Sequence, residues 1–134
     1  MPRVSKTTAS ERMSIPGFMD SAMSELDGYT IAMQRYDVDF DAAFGYKGLP
    51  NDQCQASHVG YIVEGKFRVQ MADGSEEILE GGDAIVIGPG HTWSVDAGTE
   101  FVMFTPTEEY SPQEEVIRAN MMKYAEEHGI AVPG

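Results

Sequence analysis

The chain holds a single cysteine, a single tryptophan and only nine lysines and arginines, set against 22 aspartates and glutamates in 134 residues. A lone cysteine cannot close an intramolecular disulfide, so Cys54 is a buried thiol, a reactive thiol or a metal ligand. The shortage of cations leaves a formal net charge of -13, which repels phosphate backbones and anionic headgroups and argues against nucleic-acid and membrane-surface partners. No segment approaches the roughly 20 apolar residues of a membrane helix, and the opening MPRVSKTTASERMSIPG has no apolar core of signal-peptide type. A cytoplasmic location is the expectation. Phosphate-binding and dinucleotide fingerprints are also missing, because the glycines of EGGD and GPG lie between strand-like runs, where they make turns. There is no internal repeat.

What is present reads as one all-β domain with a helical tail. Short alternating segments are punctuated by Gly, Pro, Asn and Asp, the pattern of a sandwich or barrel. In GYTIAMQRY, residues 28 to 36, Tyr29, Ile31 and Met33 share a face, which Arg35 continues. HVGYIV, residues 58 to 63, puts His58, Gly60 and Ile62 on one side and Val59, Tyr61 and Val63 on the other. KFRVQM sets Phe67, Val69 and Met71 against Lys66, Arg68 and Gln70, and Asp73-Gly74 predicts a type I′ hairpin pairing 66–71 with 75–79. AIVI, TWSV and FVMFT follow at short intervals, which suggests an antiparallel meander.

SPQEEVIRANMMKYAEEHG predicts a helix with Ser111 as N-cap, Pro112 in its first turn, Glu114 closing a capping box and Gly129 as the stop. Ile117, Met121, Tyr124 and Ala125 form its apolar stripe, expected on the barrel exterior or on a partner. His128 complements the helix dipole at the far end. Residues 1–27 read as an N-terminal arm, 28–106 as the barrel, 41–53 within it as a loop, and 107–134 as the helical segment packed on the barrel.

The turn sequences YIVEG and EGGDAIVIGPGHTW, with this order of elements, resemble the cupin family over roughly residues 28 to 105. The resemblance implies an antiparallel β-barrel of double-stranded β-helix, or jelly-roll, type with a C-terminal α-helix, a homodimer, and two sequence motifs carrying metal ligands. Gly65 sets the register of the first motif, so that His58 stands where the family has glutamate, and Cys54 and Asp52 where it has histidines. In the second motif Gly82 and Gly90 fit, Gly88 replaces proline, and Trp93 takes the histidine position, with His91 two residues earlier on the same strand face.

Two readings follow. Cys54, His58 and His91 form a three-ligand set suited to one divalent metal, zinc, nickel or iron, acting on a small-molecule substrate, with Asp52, Gln53 or Gln55 as a further ligand or water-orienting group. Alternatively the barrel is a metal-free small-ligand module in which Trp93, Arg35 and Gln55 contact the ligand, Arg35 doing so if its face points inward. Gly60 is expected to leave open space beside His58. Contact between Cys54 and His58, four positions apart, does not follow from the spacing, which weakens the case for Cys54 as an activated nucleophile.

Overall fold

The computed structural model describes residues 3–132. Ten strands and one long helix are present among them: β1 (Glu11–Ile15), β2 (Met19–Leu26), β3 (Tyr29–Tyr36), β4 (Phe40–Asp41), β5 (His58–Glu64), β6 (Lys66–Met71), β7 (Glu76–Glu80), β8 (Ala84–Ile87), β9 (His91–Val95), β10 (Thr99–Pro106) and α1 (Thr107–Glu127). They form a six-stranded sheet ordered β1-β2-β3-β10-β5-β8 and a four-stranded sheet ordered β4-β9-β6-β7, and every pairing between these strands is antiparallel. From β5 to β10 the chain passes repeatedly between the two sheets, and the simple meander expected from the turn spacing is not what forms. Only β1-β2-β3 and β6-β7 are neighbours in both chain and space. Short loops at this spacing join strands across the sandwich as readily as along one sheet, and sequence periodicity does not separate the two cases.

The residues expected as an arm, 11 to 26, form the β1-β2 hairpin, whose second strand pairs with β3 along its whole length, Met19 opposite Tyr36 through Leu26 opposite Tyr29. Serines and acids dilute the alternation there, yet Met13, Ile15 and Met19 reach the core. Within the expected loop, Asp41 accepts a hydrogen bond from the Ala43 N–H (2.9 Å) and starts a 3-10 turn over Ala42–Tyr46, and a second covers Pro50–Asp52. The β6-β7 turn is also not type I′. Gly74 N–H donates to Met71 C=O, and Gly74 alone has positive φ (86°), so a type I turn leads into a left-handed glycine; Asp73 instead accepts from the Ser75 N–H and hydroxyl.

Register fixes which side chains face the interior. Thr99, Phe101, Met103 and Thr105 alternate inward on β10, and their partners on β3 are Tyr36, Gln34, Ala32 and Thr30. Tyr29, Ile31, Met33 and Arg35 therefore face outward. Across β5, Ile62 and Gly60 sit opposite Phe101 and Met103, so His58 points inward with them. On β9, His91, Trp93 and Val95 pair with Met71, Val69 and Phe67 on the inner face. Phe67 stacks on Trp93 (5.2 Å between centroids), Tyr36 stacks on Phe40 (4.7 Å), and Phe101 meets Phe67 edge-on (5.1 Å). Each such pair adds about 0.5–1.5 kcal/mol beyond the area it buries.

The helix starts a turn before its expected cap. Thr107 N–H donates to Gly28 C=O (2.9 Å) and Thr107 shares a hydrogen bond with Thr30 (3.0 Å), so the first turn is anchored to the β2-β3 turn and Pro112 lies inside the helix, not at its first position. The stop is as expected: Gly129 takes φ +66°, and Ile130 N–H reaches Ala125 C=O (2.8 Å) in a Schellman arrangement. Ile117, Met121 and Tyr124 pack on the core, Tyr124 stacks on Phe44 (4.3 Å), and Asn120 donates to the Gly45 and Lys47 carbonyls. The helix thus lies over the 42–46 turn. The outer face of β5 and β8 stays open, with Val59 and Tyr61 at 46%, Val63 at 49% and Val86 at 83% of full exposure.

Candidate metal centre

Cys54 precedes β5 and forms an isolated bridge to the start of β9, its N–H donating to His91 C=O (2.8 Å) while its own C=O accepts from Gly90 N–H (2.7 Å). Gly90, at φ +87°, makes the bend that brings His91 alongside. This bridge ties the two motif segments together. The ligand-capable atoms of Cys54, His58 and His91 all lie within 4.8 Å of one another. Cys54 Sγ is 3.4 Å from His58 Nε2, so the contact that spacing did not establish is made, and the two imidazole rings stand edge-to-face at 5.0 Å.

Each imidazole is oriented from behind. His91 Nδ1 lies 2.8 Å from the Gly88 carbonyl, and since a carbonyl only accepts, Nδ1 carries the proton and Nε2 presents a lone pair to the cluster. That Nε2 is buried and has no hydrogen-bond partner, although His91 is fully buried. An unsatisfied buried polar atom costs about 1–3 kcal/mol. His58 Nδ1 meets the Thr105 hydroxyl at 2.6 Å, leaving its Nε2 toward Cys54. Burial, with His91 as a second cause, pushes His58 down to about 4, and burial also lowers His91. Both rings are therefore neutral near pH 7. The same burial raises the Cys54 thiol, against opposing contributions from the Ala56 backbone, Gln113 and Tyr46. A metal ion would remove that proton and accept the Nε2 lone pair, so the donor set fits a borderline-soft divalent ion.

The shell around these three residues escaped sequence reasoning. Gln113 of α1, 3% exposed, donates from Nε2 to Cys54 Sγ (3.3 Å) and accepts the Gln55 N–H on Oε1 (3.1 Å). Glu109, one turn earlier, accepts from the Ser57 N–H (2.9 Å) and hydroxyl (2.7 Å), which holds its carboxyl below the usual range. Tyr46 accepts the Trp93 indole N–H at 2.6 Å, and burial raises its phenol. No local signal marks these residues, because each is brought in by packing between distant segments.

The remaining candidates lie elsewhere. Gly60 opens no space: a Cβ there would strike the Val102 carbonyl and stand 2.6 Å from Met103 Sδ, so the methionine fills the volume beside His58. Trp93 is part of the aromatic cluster, stacked on Phe67 and bonded to Tyr46. Arg35 is on the outer sheet face, exposed and paired with Asp37 (2.9 Å), so the inward face that its ligand role required is not the one it occupies. Gln55 Nε2 donates to the Pro50 and Gln53 carbonyls, which locks the loop, while Asp52 turns away to accept from Gly48 N–H (2.9 Å).

No family model matches the chain, and no curated protein matches it. Solved structures do resemble it. The polyketide cyclase RemF of Streptomyces resistomycificus is 18% identical, with a TM-score of 0.52 over 79% of each chain. A Rhizobium leguminosarum bv. viciae protein of unknown function is 18% identical, with a TM-score of 0.51 over 78% of this chain and 95% of that one. An RmlC-like cupin from Shewanella frigidimarina is 21% identical, with a TM-score of 0.49 over 72% of this chain and 83% of the other. Identities this low speak to fold alone. With two antiparallel sheets, a chain that passes between them and one C-terminal helix, the protein has a cupin-like fold.

Proposed function

We propose that this protein acts on a small molecule through one divalent metal, zinc, nickel or iron, held by Cys54, His58 and His91. The observation that carries the reading is the buried, unpartnered Nε2 of His91, aimed at a thiol and a second imidazole within 4.8 Å. When bound, the metal would supply a Lewis acid for a substrate oxygen or for water. The chain's own residues do the rest. Gly88 and Thr105 fix the two imidazoles by their Nδ1 atoms, and Met103, Tyr46 and Gln113 keep the surroundings close-packed. A lone thiolate ligand is least exposed to oxidation in a reducing compartment, which favours a cytoplasmic location. RemF, a polyketide cyclase of similar fold, supports the small-molecule class of substrate. The exposed apolar face of β5 and β8 supports a homodimer as the working form.

Elemental analysis of protein purified without a histidine tag tests the metal. The expected result is about one first-row metal per chain, lost in Cys54→Ala, His58→Ala and His91→Ala. Protein that takes up no zinc, nickel or ferrous iron on incubation, while remaining folded, would falsify the reading.

A further inference from the structure

We infer that Gln113 of α1 is a positioning residue for a thiolate at Cys54, its side-chain amide serving as a fixed N–H donor to the sulfur; the inference rests on the metal reading above. A glutamine is an uncommon occupant for a site this enclosed. At 3% exposure its amide has lost water, and burial of an amide is costly unless both ends are bonded. One end is settled: Oε1 accepts the Gln55 N–H at 3.1 Å, and a backbone N–H only donates, so the oxygen faces Gln55 and the NH2 faces Cys54. The amide orientation is thereby set by the backbone of the loop that carries the cysteine.

The other end is bonded to sulfur at 3.3 Å. A neutral thiol is a weak acceptor, whereas a thiolate is a charged one, and hydrogen bonds to ionised partners are roughly twice as strong as neutral ones. Gln113 is therefore well satisfied only when Cys54 carries negative charge, as it does when ligating a metal. His91 Nε2 gives the same indication independently, since it too lacks a partner until a cation takes its lone pair. In that state the Gln113 N–H withdraws electron density from the sulfur and holds its rotamer, the role that groups behind metal ligands commonly play.

Cobalt(II) is the probe, because a cobalt–thiolate bond absorbs in the near ultraviolet at an energy set by the electron density on sulfur. Wild-type protein titrated with cobalt is expected to show this band, and Cys54→Ala to lack it. Two variants then isolate the donor. Gln113→Leu removes both bonds of the amide. Gln113→Met keeps the length and bulk of the side chain and removes the donor to sulfur, so a residue that served only to fill space under the helix would leave the band in place in this variant. Both variants are expected to move the band to lower energy and to weaken cobalt affinity by about 10–100-fold. A folded Gln113→Met protein with the band unmoved and affinity unchanged overturns the role of Gln113 and leaves the metal reading standing. A wild-type protein with no cobalt–thiolate band overturns both.

Discussion

Protonation is the clearest lever at the residue scale. Burial holds His58 at about 4, against about 6.5 for an exposed histidine, and lowers His91 as well. Between those values the unfolded chain takes up a proton that the folded chain refuses, so the metal-free protein is expected to lose stability as pH falls from about 6.5 toward 4. Urea midpoints that drop over this range, and drop less in a His58→Gln variant, would bear this out. Metal binding has the complementary signature. The imidazoles are already neutral near pH 7 and the Cys54 thiol is pushed up by burial, so loading is expected to release about one proton per metal. Calorimetry in buffers of differing ionisation heat measures that number, and a value near zero would mean that the sulfur is not a ligand. The grouping of Cys54, His58 and His91 was legible in sequence, because His58 and His91 follow from strand period once Gly65 and Gly90 fix the turns. Gln113 was not, since 59 residues separate it from the sulfur it touches and its neighbours in α1 are ordinary polar residues.

At the scale of the element, Pro112 is the residue that misled. Read locally, Ser111, Pro112 and Glu114 make a convincing helix start, and it is tertiary anchoring that extends the helix back to Thr107. The Thr107 N–H on Gly28 and the Glu109 carboxylate on Ser57 hold the extra turn. A proline inside a helix removes one intrahelical bond and crowds the carbonyl four residues back. Pro112→Ala is accordingly expected to stabilise the protein by up to about 3 kcal/mol, read from chemical denaturation. Were Pro112 at a true first position, the same change would be neutral or unfavourable. The β1-β2 hairpin was missed for the opposite reason: Ser14, Ser21 and Ser24 dilute its apolar alternation, and its strandedness comes from pairing with β3. Strands with a clean alternation, β6 above all, were legible to the residue.

For the whole molecule, the unresolved tension is between a net charge of -13 and a bare apolar strip on the outside of one sheet. Val59 pairs with Val86 across β5 and β8, and Tyr61 and Val63 continue the strip, with β8 at the sheet edge. Apart from Glu64 at its end, β5 carries no carboxylate, so two copies meeting there would keep most of their acidic surfaces apart. Sedimentation analysis is expected to show a dimer that tightens with added salt, as charge repulsion is screened over about 10 Å at 0.1 M, and Val86→Lys is expected to leave a monomer. A wild-type protein that stays monomeric at high salt would remove this face as an interface. A sandwich or barrel was legible from turns and alternation and its jelly-roll type from the cupin resemblance, while the order of strands within each sheet was not, because it depends on which loops cross between layers. The only thiol in the molecule is 2% exposed and lies between Gln113 and the bridge to β9, so a thiol reagent reaches it only when this packing opens. Its rate of alkylation therefore counts those openings, and a loaded site should slow the count: the protein carries its own clock for the breathing of its centre.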